Sequence, residues 1–247
     1  MEKNVQLQPE KIIDTISLLE KRIRDRFPNS GLEKVCHNFL HVALDSKQNI
    51  EWISKPNISL RIFAYLVILV GLGGLVYSVT YINWEIQNTT LGNIVSLSEA
   101  IFNDIILIGA AIFFLISLES KLKTKRALKA LNELRGIAHV IDMHQLTKDP
   151  NLTDSNNTST ENSPKRTLTR FELQRYLDYC SEATALVGKV AALYSQSLPE
   201  ETVVHAANEI EILTTGLSRK IWQKLIILND STPKKINKRK FINYENN

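Results

Sequence analysis

Two long apolar runs stand out in the pattern of hydrophobic and polar positions along the chain. The first extends from Ile62 to Ile82, 21 residues without a charge. The second extends from about Leu97 to Leu118 and carries Glu99, Asn103 and Asp104 in its first third. About 20 apolar residues in a helix cross a hydrocarbon core of roughly 30 Å. Each run therefore predicts a membrane-spanning helix.

The flanking segments carry apolar residues three or four positions apart, which is the spacing of amphipathic helices. This spacing predicts helices over about 10–26, 32–52, 167–197 and 198–228. Ser197 and Glu200 match the S-x-x-E capping box, which predicts that the last helix starts there and forms an antiparallel hairpin with the one before it. The apolar stripe beyond Leu118 continues to about Gln145, so the second span and the segment after it are predicted to form one helix.

No segment shows the alternation of a strand, and the predicted fold is all-α, a two-span transmembrane helical hairpin with long cytoplasmic helices and a cytoplasmic helical bundle. The chain is divided into six parts. They are N-terminal cytoplasmic helices (1–58), the two-span transmembrane hairpin (59–120), a cytoplasmic stalk that continues the second span (121–146), a flexible linker (147–166), a C-terminal helical hairpin (167–230) and a basic disordered tail (231–247).

The basic residues predict the orientation. None of the 30 Lys and Arg residues lies between residues 62 and 120. Since Lys and Arg beside a span stay on the cytoplasmic side, both termini are expected in the cytoplasm and the loop 83–96 outside. Residues 1–30 lack the apolar core of a cleavable signal peptide. We expect an integral protein of a bacterial inner membrane, with Cys36 and Cys180 as free thiols in a reducing compartment.

Polar and small side chains inside the spans are candidates for function and for packing. Asn103 and Asp104 are strongly polar, and an acid within a membrane is a candidate for a pore, proton or oligomer role. The alternative is that Asp104 lies near the outer end of its helix and reaches water or headgroups. Small residues favour close helix approach, and the candidates for such packing are Gly71, Gly74, Ser78 and Gly109.

A histidine pattern raises the possibility of a metal site. His37 and His41 are four residues apart on one predicted helix, and His139 and Asp142 are three apart on the stalk. If the two helices run straight and antiparallel, the pairs lie at about the same depth, and two imidazoles with a further imidazole and a carboxylate suit zinc or a similar divalent cation. The alternative is that helix packing or neighbouring acids satisfy these histidines. The chain is otherwise expected to need no cofactor.

The basic residues of the tail are candidates for contact with an anionic membrane surface, and the alternative is a solvated terminus. They are Lys234, Lys235, Lys238, Arg239 and Lys240. We expect no nucleic-acid partner. No phosphate-binding loop of the G-x-x-x-x-G-K-[ST] or G-x-G-x-x-G type and no G-x-S-x-G elbow occurs in the sequence, so we expect no enzymatic activity.

The arrangement of a cytoplasmic helix, two spans and a long cytoplasmic helix over residues 32–145 resembles that of bacterial two-span effector domains found with nucleotide-sensing defence systems. The stretches RGIAHVIDMHQLTKDP (135–150) and TTGLSRKIWQKLIIL (214–228) resemble segments of uncharacterised bacterial two-transmembrane-helix proteins, which implies no particular activity.

Three functions remain open at this point. The first is a non-enzymatic membrane-anchored helical scaffold or sensor with an unknown cytoplasmic protein partner. The second is an oligomeric two-span effector or ion-conducting assembly in which the second spans line a pore. The third is a metal-binding cytoplasmic bundle. In each case the lipid bilayer is a partner, and a homo-oligomer is expected.

Overall fold

The computed structural model describes residues 6–81, 91–150, 161–162 and 167–230. Over these ranges the chain forms α-helices and no strands, which confirms the predicted all-α class. The helices are α1 (Pro9–Arg26), α2 (Gly31–Ser54), α3 (Ile58–Tyr81), α4 (Leu91–Leu146), α5 (Arg170–Ser197) and α6 (Glu201–Asp230).

Polar side chains and turn residues set the helix boundaries. Ser30 caps α2, because its hydroxyl accepts a hydrogen bond from the backbone N–H of Glu33 at 3.1 Å. The turn before it places Asn29 at φ 59°, a left-handed conformation that asparagine tolerates better than most residues. Thr169 and Glu172 form a reciprocal capping box at the start of α5.

The capping box predicted at Ser197 is wrong. Ser197 is the last residue of α5, and its hydroxyl donates a hydrogen bond to the carbonyl of Leu193 at 2.7 Å. Helix α6 begins at Glu201, four residues later. The S-x-x-E spacing occurs here, but the serine hydroxyl is used by the preceding helix and does not face the N–H groups of the next one.

Helices α1, α2, α5, α6 and the second half of α4 pack into one bundle around a common core. Helix α5 is the central element, since it contacts α1, α2, α4 and α6. The C-terminal hairpin therefore docks on the other helices. The largest fully buried side chains are Tyr194, Phe39, Ile16, Leu19, Ile23, Leu32, Ile53, Leu131, Leu134, Ile141, Leu177 and Ile210.

Polar contacts along α4 show the directions of its neighbours. Helix α2 is antiparallel to α4, because Gly31 at its start lies against His144 and Asn49 near its end accepts a hydrogen bond from Arg126. Helix α6 runs parallel to α4. In order along the chain, Ser120 contacts Glu200, which directly precedes α6, Arg135 contacts Glu209, and the carbonyl of Gln145 contacts Lys224.

The second apolar run and the stalk form a single helix of 56 residues, α4. Its first part packs against α3, and its second part belongs to the bundle. The continuous apolar stripe predicted this continuity. A rigid helix therefore connects the two apolar helical segments to the core of the bundle.

Candidate functional site

The apolar surface of α3 and of the first part of α4 is the most unusual feature of the fold. Each contains an 18-residue window long and apolar enough to cross a membrane, with mean hydropathies of 1.7 and 2.3. Within the chain, 0% of the window that includes α3 is buried and 6% of the window in α4 is buried. Side chains such as Leu69 and Phe113 are 72% and 73% exposed. A core helix of a water-soluble protein buries most of such a window.

Helices α3 and α4 approach each other at Gly71. A Cβ atom at this position would lie 2.6 Å from Cδ1 of Ile108, so a larger residue would require the Ile108 side chain to move. A Cβ atom at Gly74 or Gly109 would meet no described heavy atom within 4 Å, so their packing against another helix stays a prediction. The side chain of Ser78 lies outside the described residues.

The polar residues predicted inside the second span lie in the apolar part of α4. Asn103 is exposed, and Asp104 is half-buried. Neither makes a hydrogen bond or ion pair with another residue that the structure describes. The roles predicted for Asn103 and Asp104 stay predictions.

The carboxylate of Glu119 links the start of α3 to α4 at the position where the second apolar run ends. Oε1 of Glu119 accepts a hydrogen bond from the backbone N–H of Asn57 at 3.0 Å and lies 2.9 Å from Nζ of Lys123. The hydrogen bond from Asn57 is the main reason why the pKa of Glu119 is lowered, and Lys123 adds to the effect. No local pattern in the sequence relates residues 57 and 119, so this contact was not predicted.

The histidines of α2 form a pair beside a buried acid. Nε2 of His37 and Nε2 of His41 are 3.2 Å apart, and Nδ1 of His37 is 3.6 Å from Oε1 of Glu20. Glu20 is buried on α1, and both oxygens of its carboxylate accept a hydrogen bond from Nη2 of Arg24. The hydrogen bond from Arg24 lowers the pKa of Glu20 against the opposing effect of burial.

The other two residues of the predicted metal set, His139 and Asp142, lie on α4. The register of α2 against α4 brings His139 level with His37, but His139 is exposed beside the fully buried Ala138. Oδ1 of Asp142 accepts a hydrogen bond from Gln145 at 2.6 Å. Within the described ranges, no group of three or more His, Cys, Asp and Glu side chains is arranged to hold a metal ion.

His144, rather than His139, makes the histidine contact between α4 and α2. Its imidazole fills the space beside Gly31, where any Cβ atom would overlap with Cε1. Burial is the main reason why the pKa of His144 is lowered, and the positive charge of Lys148 acts in the same direction. The glycine at the start of α2 was the available sequence signal for this contact, but its partner lies 113 positions away by the numbering of the chain.

Both cysteines lie in the core of the bundle as free thiols. Burial raises the pKa of Cys36 and of Cys180 to about 12 in each case. Because the thiolate is the reactive form, neither side chain is a nucleophile at neutral pH in the folded protein.

A basic cleft lies beside the point where α4 leaves its apolar part. It has a volume of about 620 Å³ and separates α4 from the start of α6. We define the basic cleft by Ser120, Lys121, Thr124, Lys125, Lys129, Glu200 and Thr202. The cleft was not predicted from the sequence, because Thr202 comes from a different helix. The basic tail predicted to contact a membrane (residues 234–240) lies outside the described residues.

Comparisons of the chain with protein-family models, with curated proteins and with solved structures give no match.

Proposed function

We propose that the protein is a non-enzymatic, membrane-anchored helical scaffold or sensor. In this proposal α3 and the first part of α4 cross the bilayer as a hairpin. The bundle and both termini lie in the cytoplasm of a bacterium. The partners would be the lipid bilayer, further copies of the chain and a cytoplasmic protein that binds the bundle.

The observation that carries the proposal is the division of apolar surface between the two parts of the chain. The bundle buries its hydrophobic side chains in one core, whereas α3 and the first part of α4 expose theirs. Burying a large apolar side chain is worth roughly 1.5 to 3 kcal/mol. Leaving so many of them in water would cost far more than the net stability of a domain, about 5 to 15 kcal/mol, and lipid removes this cost.

The continuous helix α4 supports a scaffold or sensor role in particular. Leu131, Leu134 and Ile141 on its second half are buried in the core, so α4 cannot move without disturbing the bundle. Packed helices resist continuous deformation. A displacement of the helix pair in the membrane would thus reach the surface that a cytoplasmic partner binds.

Cysteine labelling of the full chain in intact cells tests the proposal. Phe113→Cys should resist a membrane-impermeant maleimide under all native conditions, because lipid surrounds it. Glu133→Cys should react only after the membrane is opened, and Asn88→Cys in the predicted outer loop should react in intact cells. The proposal would be contradicted if the chain were found in the soluble fraction and its Phe113→Cys variant were labelled there. Release of the chain from membranes by alkaline carbonate would also contradict it.

An oligomeric ion-conducting assembly is the second candidate function. The observation that favours it is a half-buried acid, Asp104, in the most apolar part of α4. An ionisable residue at membrane depth is costly unless it faces water or a partner. Several copies that turn this face of α4 toward a common axis would give Asp104 such surroundings.

A further inference from the structure

The basic cleft has unusual electrostatics for a surface between two packed helices. Lys121, Lys125 and Lys129 are exposed and lie on one face of α4, since they are four residues apart. In the part of the chain that the structure describes, none of the three lies within 4.0 Å of a carboxylate. The neighbouring Lys123, by contrast, is paired with Glu119.

Hydroxyl groups also line the basic cleft. Thr124 contributes one from α4, and Thr202 contributes one from the first turn of α6. The single acid of the cleft, Glu200, accepts a hydrogen bond from the hydroxyl of Ser120 at 2.6 Å. Three ammonium groups and two hydroxyls against one carboxylate make a site for an anion with several oxygens, and a phosphate is such a group.

The position of the basic cleft selects the source of the phosphate. Ser120 follows the last apolar residue of the run, Leu118, by two positions, or about 3 Å along the helix. The headgroup layer on each side of the hydrocarbon core is roughly 5 to 8 Å thick. Side chains on a helix tilt toward its N-terminus, which for α4 is toward the membrane. Lys121 and Lys125 lie roughly 4.5 and 10.5 Å beyond Leu118 along the helix, and their side chains extend back toward the headgroup layer.

We propose that the basic cleft binds the phosphate headgroup of an anionic phospholipid. This inference rests on the proposed function, because it requires α4 to leave the membrane near Leu118. The lysines supply the charge, and the hydroxyls of Thr124 and Thr202 donate hydrogen bonds to phosphate oxygens. A bound headgroup contacts both α4 and α6, so the lipid fastens the bundle to the membrane surface.

Native mass spectrometry of the full chain in a neutral detergent tests this site with defined lipids. Phosphatidylglycerol and phosphatidylcholine with identical acyl chains are titrated into the protein, and the occupancy of the first bound lipid is measured. The expected result is tighter binding of phosphatidylglycerol. The double variant Lys121→Gln/Lys125→Gln should weaken its binding roughly 25-fold, because each basic side chain at an anionic surface contributes about fivefold. Lys129 is left intact because it also borders a cleft containing Asp45 and Glu133.

The matched control is Lys189→Gln/Lys220→Gln, which removes the same charge from exposed positions of α5 and α6 outside the cleft. It should bind phosphatidylglycerol as the wild type does. Equal affinity of the wild type for the two lipids, or an equal loss in both double variants, would overturn the inference. If inorganic phosphate bound the chain as tightly as phosphatidylglycerol does, the assignment to a lipid would be overturned, and the ligand would be a soluble phosphate compound.

The outcome is separable from that of the proposed function. If the chain stays in carbonate-washed membranes but does not distinguish the two lipids, only the lipid site is wrong. If carbonate releases the chain, the membrane anchor itself is wrong, whatever the lipid titration gives.

Discussion

The Cβ atom that Gly188 lacks would lie 2.8 Å from Oγ1 of Thr214. Both residues are buried, and they bring α5 and α6 together in the middle of the C-terminal hairpin. The threonine has little freedom to retreat, since it is β-branched and its hydroxyl donates to the carbonyl of Glu211 at 3.1 Å. Glycine at position 188 is thus a packing requirement of the hairpin.

Gly188→Ala should lower the free energy of unfolding by about 1 to 3 kcal/mol, the usual cost of overpacking a core. The control is Gly216→Ala on α6, where a Cβ atom would meet no described heavy atom within 4 Å. That substitution should raise stability by up to about 1 kcal/mol, because alanine is the better helix former. Thermal unfolding followed by circular dichroism in detergent measures both. Thr214→Ala in the Gly188→Ala background should recover part of the loss, and no recovery would show that the clash is elsewhere.

The junction between α3 and α4 should depend on Glu119. Glu119→Ala removes the acceptor of the Asn57 backbone N–H and the partner of Lys123. Because hydrogen bonds to a charged group contribute roughly 1.5 to 3 kcal/mol, we expect a loss of that order in a denaturant titration. Glu133→Ala, at an exposed position of the same helix, should change stability by less than about 0.5 kcal/mol. Similar losses in the two variants would count against the junction.

The stability of the bundle should fall as the pH drops below the ordinary pKa of histidine, 6.5. The pKa of His144 is lower in the folded chain, chiefly because of burial, so the unfolded chain binds a proton more readily in this range. The contribution of His144 to the free energy of unfolding is therefore complete above pH 6.5, and it is lost as the pH falls toward the pKa that His144 has in the folded chain. His144→Gln should flatten this dependence in thermal unfolding measured at several pH values.

The two native thiols should be inert until the bundle opens. With a pKa of about 12, Cys36 and Cys180 are protonated at neutral pH, and both are shielded from reagents. We expect no labelling of the native chain by a small maleimide and labelling of two sites in denaturant, measured by intact mass. Rapid labelling of native protein would mean that the core opens readily. The same inertness lets introduced cysteines report topology without a cysteine-free background.

The mass of the protein in detergent, corrected for the micelle, separates the scaffold from the conducting assembly. A closed ring of four or more copies, with loss of conductance in Asp104→Asn, would favour the assembly. A monomer or dimer would favour the scaffold, because two helices per copy are then too few to enclose a pore. Glu133→Gln, which removes one carboxylate charge from an exposed position of the bundle, is the control for effects on expression.

The sequence predicted helices well where apolar spacing is regular. Helices α1, α2 and α5 begin and end within a few residues of the predicted bounds, and α4 is continuous as expected. The prediction was wrong at Ser197, because a serine between two helices can cap the second or bond back to the first, and the local spacing is the same in both cases. The capping box at Thr169 was missed.

Contacts between distant residues required the tertiary structure. His37 and His41 share a face because they are four residues apart, and the sequence showed this. Three other contacts depend on which helices are neighbours. Glu20 lies beside the histidine pair, His144 packs on Gly31, and Thr202 lies in the same cleft as the lysines of α4.

What the sequence by itself determined is the set of elements: their helical type, the two apolar segments, and the absence of basic residues between them. These properties are local, because hydrophobic spacing and charge act over one or two turns. The tertiary structure decided the neighbours: the central position of α5, the docking of the hairpin, and the basic cleft between α4 and α6. Such contacts depend on how amphipathic faces fit together across a core, and many arrangements of the same helices satisfy the same local pattern.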